Sequence, residues 1–82
     1  MSYFVYLLEC KDNSFYCGYT TDLKKRLLTH NKGKASKYTR SRLPVKMIYS
    51  EELPSLSEAL KREYAIKQLT RKEKEELIKK RN

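Results

Sequence analysis

The chain has 82 residues, 19 of them Lys or Arg and 10 Asp or Glu, for a formal net charge of +9. That length suits one small domain, residues 1–82, with too little core to enclose a deep cavity, so reactive groups are expected on an outer face, open to a bulky substrate. The positive surplus favours a polyanion, nucleic acid first, as partner, and the chain has neither an apolar run of membrane-spanning length nor a basic start ahead of its short apolar segment at residues 4–8, which argues against a membrane role.

The expected location is therefore the cytoplasm, with Cys10 and Cys17 reduced. Both fit small strand residues; together with His30 they lack a fourth zinc ligand. The charge is uneven. Residues 1–50 hold ten basic side chains against Glu9, Asp12 and Asp22, and the other seven acids lie in residues 51–82.

Residues 3–9 are continuously apolar and rich in β-branched and aromatic side chains, which predicts a strand buried on both faces and central in its sheet. Lys11, Asp12, Asn13 and Ser14 form a turn cluster. Residues 15–19 form a second strand and close a hairpin, with Gly18 marking a bulge or a close backbone approach. Thr20 or Thr21 caps a helix reaching about His30, with Leu23 and Leu27 turned inward at i, i+4 spacing. Lys32, Lys34, Lys37, Arg40 and Arg42 follow without an acid. With Gly33 and small polar neighbours, that segment is expected to be a mobile basic loop. Pro44 precedes a third strand at 45–50. Two capping boxes then announce helices, Ser55 with Glu58 and Thr70 with Glu73. The first helix should reach about Leu69. The second has only Leu77 and Ile78 as an apolar stripe, so it must dock or fray. The order is β-β-α-β-α-α, an α/β (α+β) arrangement.

Three groups of residues could carry chemistry. Glu63 lies among Leu56, Ala59, Leu60, Ile66 and Leu69, inside the helix's apolar stripe. A carboxylate there must be paired, with Lys67 four residues on the obvious partner, or hold a metal. Arg26 and His30 share one helix face at the edge of the Leu23/Leu27 stripe. A guanidinium can grip two phosphate oxygens, and an imidazole can relay a proton; the plainer reading is a solvated edge with Asp22 pairing Arg26. Among seven tyrosines, Tyr6 shares a strand face with Phe4 and Leu8, and Tyr16 stands in the neighbouring strand. A buried tyrosine needs a hydroxyl partner.

In combination these residues resemble the GIY-YIG nuclease superfamily, small stand-alone bacterial type. Phe4-Val5-Tyr6 stands for the first triplet and Tyr16-Cys17-Gly18 for the second. The stretch from Gly18 to Leu23 leads into Arg26, His30 and Asn31, and Glu63 follows on the helix after the third strand. The resemblance spans essentially the whole chain, and the order of its parts is its specific signal. It departs at Phe4-Val5 and Cys17, at Tyr19, where many members carry Lys, and at an Asn that some branches carry well after the Glu, for which only Asn82 remains.

The resemblance implies a three-stranded sheet flanked by helices and a phosphodiester hydrolase. Relatives include the amino-terminal domain of the repair subunit UvrC and structure-specific endonucleases. It implies that Glu63 holds a single Mg²⁺ or Mn²⁺ ion, that Arg26 holds the scissile phosphate, and that Tyr6, Tyr16 and His30 form a hydrogen-bonded group around the attacking water. Mg²⁺ needs only one or two carboxylates when phosphate supplies further oxygens. The expected substrate is DNA, structured or damaged, in repair or recombination. Lys24, Lys32, Lys34, Lys37, Arg40 and Arg42 would meet its backbone with little sequence readout. A monomer is expected, with room for a protein partner that supplies specificity. The alternative is a nucleic-acid-binding module of the same fold with little or no catalysis.

Overall fold

The computed structural model describes residues 2–81; Asn82 lies outside them. Strands β1 (Tyr3–Glu9), β2 (Phe15–Thr20) and β3 (Lys46–Leu53) form one antiparallel sheet in the order β2-β1-β3. The apolar run therefore does occupy the centre, as its two-sided hydrophobicity requires. Four helices accompany the strands: α1 (Leu23–Asn31), α2 (Lys37–Arg40), α3 (Leu56–Lys67) and α4 (Arg71–Arg81). The order is β-β-α-β-α-α, plus one short helix inside the basic segment.

Alternation along β1 divides the core between the sheet's two faces. Val5 and Leu7 join Cys17, Tyr49, Ala59 and Ile66 on the side covered by α3, and Leu77 and Ile78 dock α4 against that cluster. Tyr6 and Leu8 join Cys10 and Val45 on the other side, under Leu23 and Leu27 of α1. Cys10 and Cys17 are thus free thiols in separate clusters. Burial pushes Cys17 up to about 12 and also raises Cys10, so both stay protonated.

Several boundaries differ from expectation. Asp22, not Thr20 or Thr21, caps α1: its carboxylate accepts from the Lys25 amide at 3.0 Å. β2 continues through Thr20, which leaves the threonine hydroxyl to accept from the Asp22 amide at 3.1 Å. The third strand runs past Ser50 to Leu53. The Thr70 box is complete, and Ser55 makes its half of the other. Thr70 and Glu73 exchange bonds of 2.8 and 3.2 Å, and Ser55 accepts from the Glu58 amide.

The basic segment is not loop throughout, because α2 lies inside it. Ser36 caps α2 by accepting from the Thr39 amide. Thr39 is fully buried. Arg42 pairs with Asp12 at 3.0 Å, donates to the Tyr38 carbonyl and lies 4.0 Å above the Tyr38 ring.

Candidate functional site

Gly18 explains how the site opens. It is the register partner of Tyr6 across the β1–β2 ladder. A Cβ at residue 18 would sit 2.6 Å from Tyr6 Oη and 2.8 Å from its Cζ. The close approach expected at this glycine is therefore made by a phenol rather than by backbone. The missing side chain lets Tyr6 face a concavity of about 340 Å³, where Tyr16, Gly18, Tyr19, Arg26 and Glu63 also line the wall.

Helix α1 supplies the group behind Tyr6. His30 Nε2 lies 2.9 Å from Tyr6 Oη, and Nδ1 lies 2.8 Å from Thr39 Oγ1. The sequence suggested that His30 would sit at a solvent boundary. Instead it is 1% exposed, because α2 closes over it and seats Thr39 on its ring. Desolvation, helped by the charge of Arg26, lowers its pKa, so the ring is neutral at physiological pH. Burial likewise pushes the Tyr6 hydroxyl above its ordinary value; Tyr16 adds to this and Arg26 opposes it. Tyr6 is therefore a protonated phenol. The cation expected to activate a tyrosine is present, but desolvation outweighs it.

Tyr16 joins this group by ring packing. Its ring meets that of His30 edge-on at 5.2 Å and stacks on Tyr38 at 6.0 Å. Arg26, half-buried, points into the concavity. Asp22 is engaged as the α1 cap, and among the described residues no Asp22–Arg26 ion pair forms.

Glu63 reaches the same wall from α3. The inward stripe of α3 is Ala59, Arg62, Glu63 and Ile66, whereas Leu56 and Leu60, counted as inward in the sequence, are exposed together with Tyr64. Glu63 is thus nearer the centre of the buried face than the apolar pattern suggested. Its side chain is 17% exposed and meets Lys67 at 3.6 Å, so the expected pairing and the position on the wall coexist. Arg62 donates to Glu51 at 2.6 Å, and Tyr49 hydrogen-bonds the same carboxylate. This link ties α3 to β3 one residue before Glu63.

The donor set bears on a metal. Among the described residues no group of three or more His, Cys, Asp or Glu converges. Zinc, which takes a full set of N and S ligands, does not fit. A carboxylate on the wall of an open concavity of about 340 Å³ suits a hard cation that keeps its waters. Glu63 is the residue here that could hold one.

The basic residues divide. Lys24, Lys32, Lys34, Lys37 and Arg40 are exposed, and among the described residues they form no ion pair. Arg42 is spent on Asp12 and Tyr38, so it anchors the segment rather than offering a free charge. Sequence reasoning missed Thr39. Its one local signal was Ser36, three residues earlier, a cap residue inside an otherwise basic run.

Known proteins match this arrangement. Residues 2–77 match the family model described as the GIY-YIG catalytic domain. A UPF0213 protein of Bacillus velezensis is 56% identical over 77 residues, covering 94% of this chain and 78% of the relative. One from Staphylococcus haemolyticus is 49% identical, with 96% of both chains covered. The solution NMR structure of an E. faecalis protein superposes with a TM-score of 0.66 at 49% identity, over 98% of this chain and 85% of that one. That of a UPF0213 protein from Bacillus halodurans gives 0.62 at 47% identity, over 96% and 84%. GIY-YIG domains are of nuclease type and generally use a divalent metal. With its two tyrosine strands, its Arg–His helix and the later Glu, this chain belongs to the GIY-YIG family.

Proposed function

We propose that the chain, read as one catalytic domain over residues 1–82, is an endonuclease that hydrolyses phosphodiester bonds in DNA with one Mg²⁺ or Mn²⁺ ion. The observation that carries this reading is the meeting of Tyr6, Tyr16, Arg26 and Glu63 on one concavity, with His30 bonded behind Tyr6. Arg26 would grip the scissile phosphate and offset charge that grows in the transition state. Glu63 would hold the ion, releasing Lys67. The ion, when bound, supplies charge to the phosphate and to the leaving oxygen. Tyr6 and His30 would orient the attacking water and take its proton, with Tyr16 packing the pair in place.

Lys24, Lys32, Lys34, Lys37 and Arg40 would meet the DNA backbone. Such contacts carry little sequence information, which suits structured or damaged DNA met in repair or recombination. The domain would act as a monomer in the cytoplasm, with a protein partner adding specificity.

Two observations favour the second reading, a binding module with little catalysis. Tyr6 is held protonated, and Tyr19 stands on the wall where a lysine would have supplied an activating charge. Cleavage of flap, fork and junction DNA, with and without Mg²⁺ or Mn²⁺, separates the two. Wild type is expected to cut only with metal. Glu63→Ala should lose about two to three orders of magnitude in rate, equivalent to several kcal/mol of charge stabilisation. Equal inertness of both proteins, with DNA binding intact, would establish the binding module instead.

A further inference from the structure

We infer that Thr39 is a positioning residue: from the basic segment it fixes His30 as the Nδ1–H tautomer, which leaves Nε2 free to accept the Tyr6 proton. The catalytic consequence rests on the nuclease reading above; the tautomer itself does not.

The geometry leaves His30 few choices. The ring is buried and both nitrogens are engaged, Nε2 with Tyr6 at 2.9 Å and Nδ1 with Thr39 at 2.8 Å. A neutral imidazole has one donor and one acceptor nitrogen. So one neighbour must donate to the ring and the other must accept from it. Tyr6 is the better donor. A phenol gives its proton readily and its oxygen is a weak acceptor, whereas an imidazole nitrogen accepts strongly. Thr39 is the better acceptor because its own proton has other outlets. Its Oγ1 lies 3.2 Å from Ser36 Oγ and 3.4 Å from the Ser36 carbonyl. The Ser36 cap holds the Thr39 backbone in turn. The consistent arrangement runs from Tyr6 Oη–H to Nε2, then from Nδ1–H to Thr39, then on to Ser36.

This arrangement gives a protonated tyrosine a way to act as a base. The attacking water loses a proton to Tyr6 Oη while the phenol's own proton moves to Nε2. Tyrosine ends neutral, and His30 ends as an imidazolium whose Nδ1 keeps its proton and still donates it to Thr39 Oγ1. The opposite tautomer would place a proton on Nε2, and the transfer would stop. Thr39 also sits between Lys37 and Arg40, two exposed cations on α2. The segment expected to meet the DNA backbone is therefore the same one that sets the tautomer.

His30 is the chain's single histidine, so a long-range ¹H–¹⁵N spectrum of the metal-free protein reports one ring. It should be recorded at a pH where that ring is neutral. The expected result is the Nδ1–H form in wild type and in Thr39→Ser, and its loss in Thr39→Val. An Nε2–H ring in wild type overturns the proposal without any variant. So does a Thr39→Val spectrum identical to wild type. If Thr39→Val fails to fold, Thr39→Ala takes its place with the same two outcomes. In single-turnover cleavage, Thr39→Val should lose about two orders of magnitude at unchanged DNA affinity, and Thr39→Ser should recover most of it. A protein that cuts nothing but shows the Thr39-dependent tautomer would sink the nuclease reading and leave this inference standing.

Discussion

Gly18 and Tyr6 depend on each other, and a pair of substitutions separates their contributions. Alanine at 18 would bring a carbon to 2.6 Å from Tyr6 Oη. The phenol cannot swing aside, because it is buried and bonded to His30. Gly18→Ala should therefore cost about 1–3 kcal/mol, the usual range for overpacking, read from urea denaturation. Tyr6→Phe removes the nearest atom, so the double variant should lose less than the two single changes summed. Strict additivity would mean that the β2 backbone, not Tyr6, absorbs the strain. His30 makes stability depend on pH. Its folded pKa lies below the ordinary 6.5, so between the two values the unfolded chain binds the extra proton. Stability is then complete above pH 6.5 and falls as pH drops through it, by up to about 1.4 kcal/mol per pH unit. A flat profile from pH 7.5 to the onset of carboxylate titration would show that the ring is not desolvated.

The helices place these side chains, and α3 depends most on a contact absent from its own sequence pattern. Glu51 on β3 accepts from Arg62 and from Tyr49. Removing it takes from the part-exposed Arg62 and from Tyr49 the carboxylate that they share. Glu51→Ala should cost about 1–3 kcal/mol and loosen the helix rotation that presents Glu63, so metal-dependent cleavage should fall further than stability alone explains. If cleavage in the folded variant matches wild type, that rotation is set elsewhere. The same elements show what the chain made legible. The central strand, the hairpin and the caps Ser55 and Thr70 followed from local spacing and side-chain type, whereas Glu63 faces inward although Leu56 and Leu60 of its supposed stripe are exposed. Asp22 displaced the threonines as cap because the strand's length decided which residue lay free. α2, the burial of His30 and the role of Thr39 depend on contacts between segments far apart in the chain, which no window of residues contains. Arg42 looked like a free cation for the same reason, since Asp12 is 30 residues away.

At the scale of the whole molecule, the net charge of +9 has to be divided between charges that hold the fold and charges left for a partner. Five ion pairs tie up Arg42, Lys46, Arg62, Lys67 and Arg71 among the described residues. Lys34, Lys37 and Arg40 have no such partner and stand together around α2. If they meet phosphates, each releases counterions on binding DNA. The slope of log affinity against log salt should then shrink by about 0.9 for each contact removed, or about 2.7 for the triple alanine variant. Fluorescence anisotropy in EDTA measures this with no cleavage to confuse it. Arg42→Ala is the internal comparison, because it removes the same formal charge. Its cation is committed to Asp12 and Tyr38, so its loss should lower thermal stability and leave the slope almost unchanged. If Arg42→Ala reduces the slope as much as Lys37→Ala does, net charge alone governs binding and α2 has no special place in it. A large slope change from the α2 residues and none from Arg42 would locate the DNA beside the helix that carries Thr39.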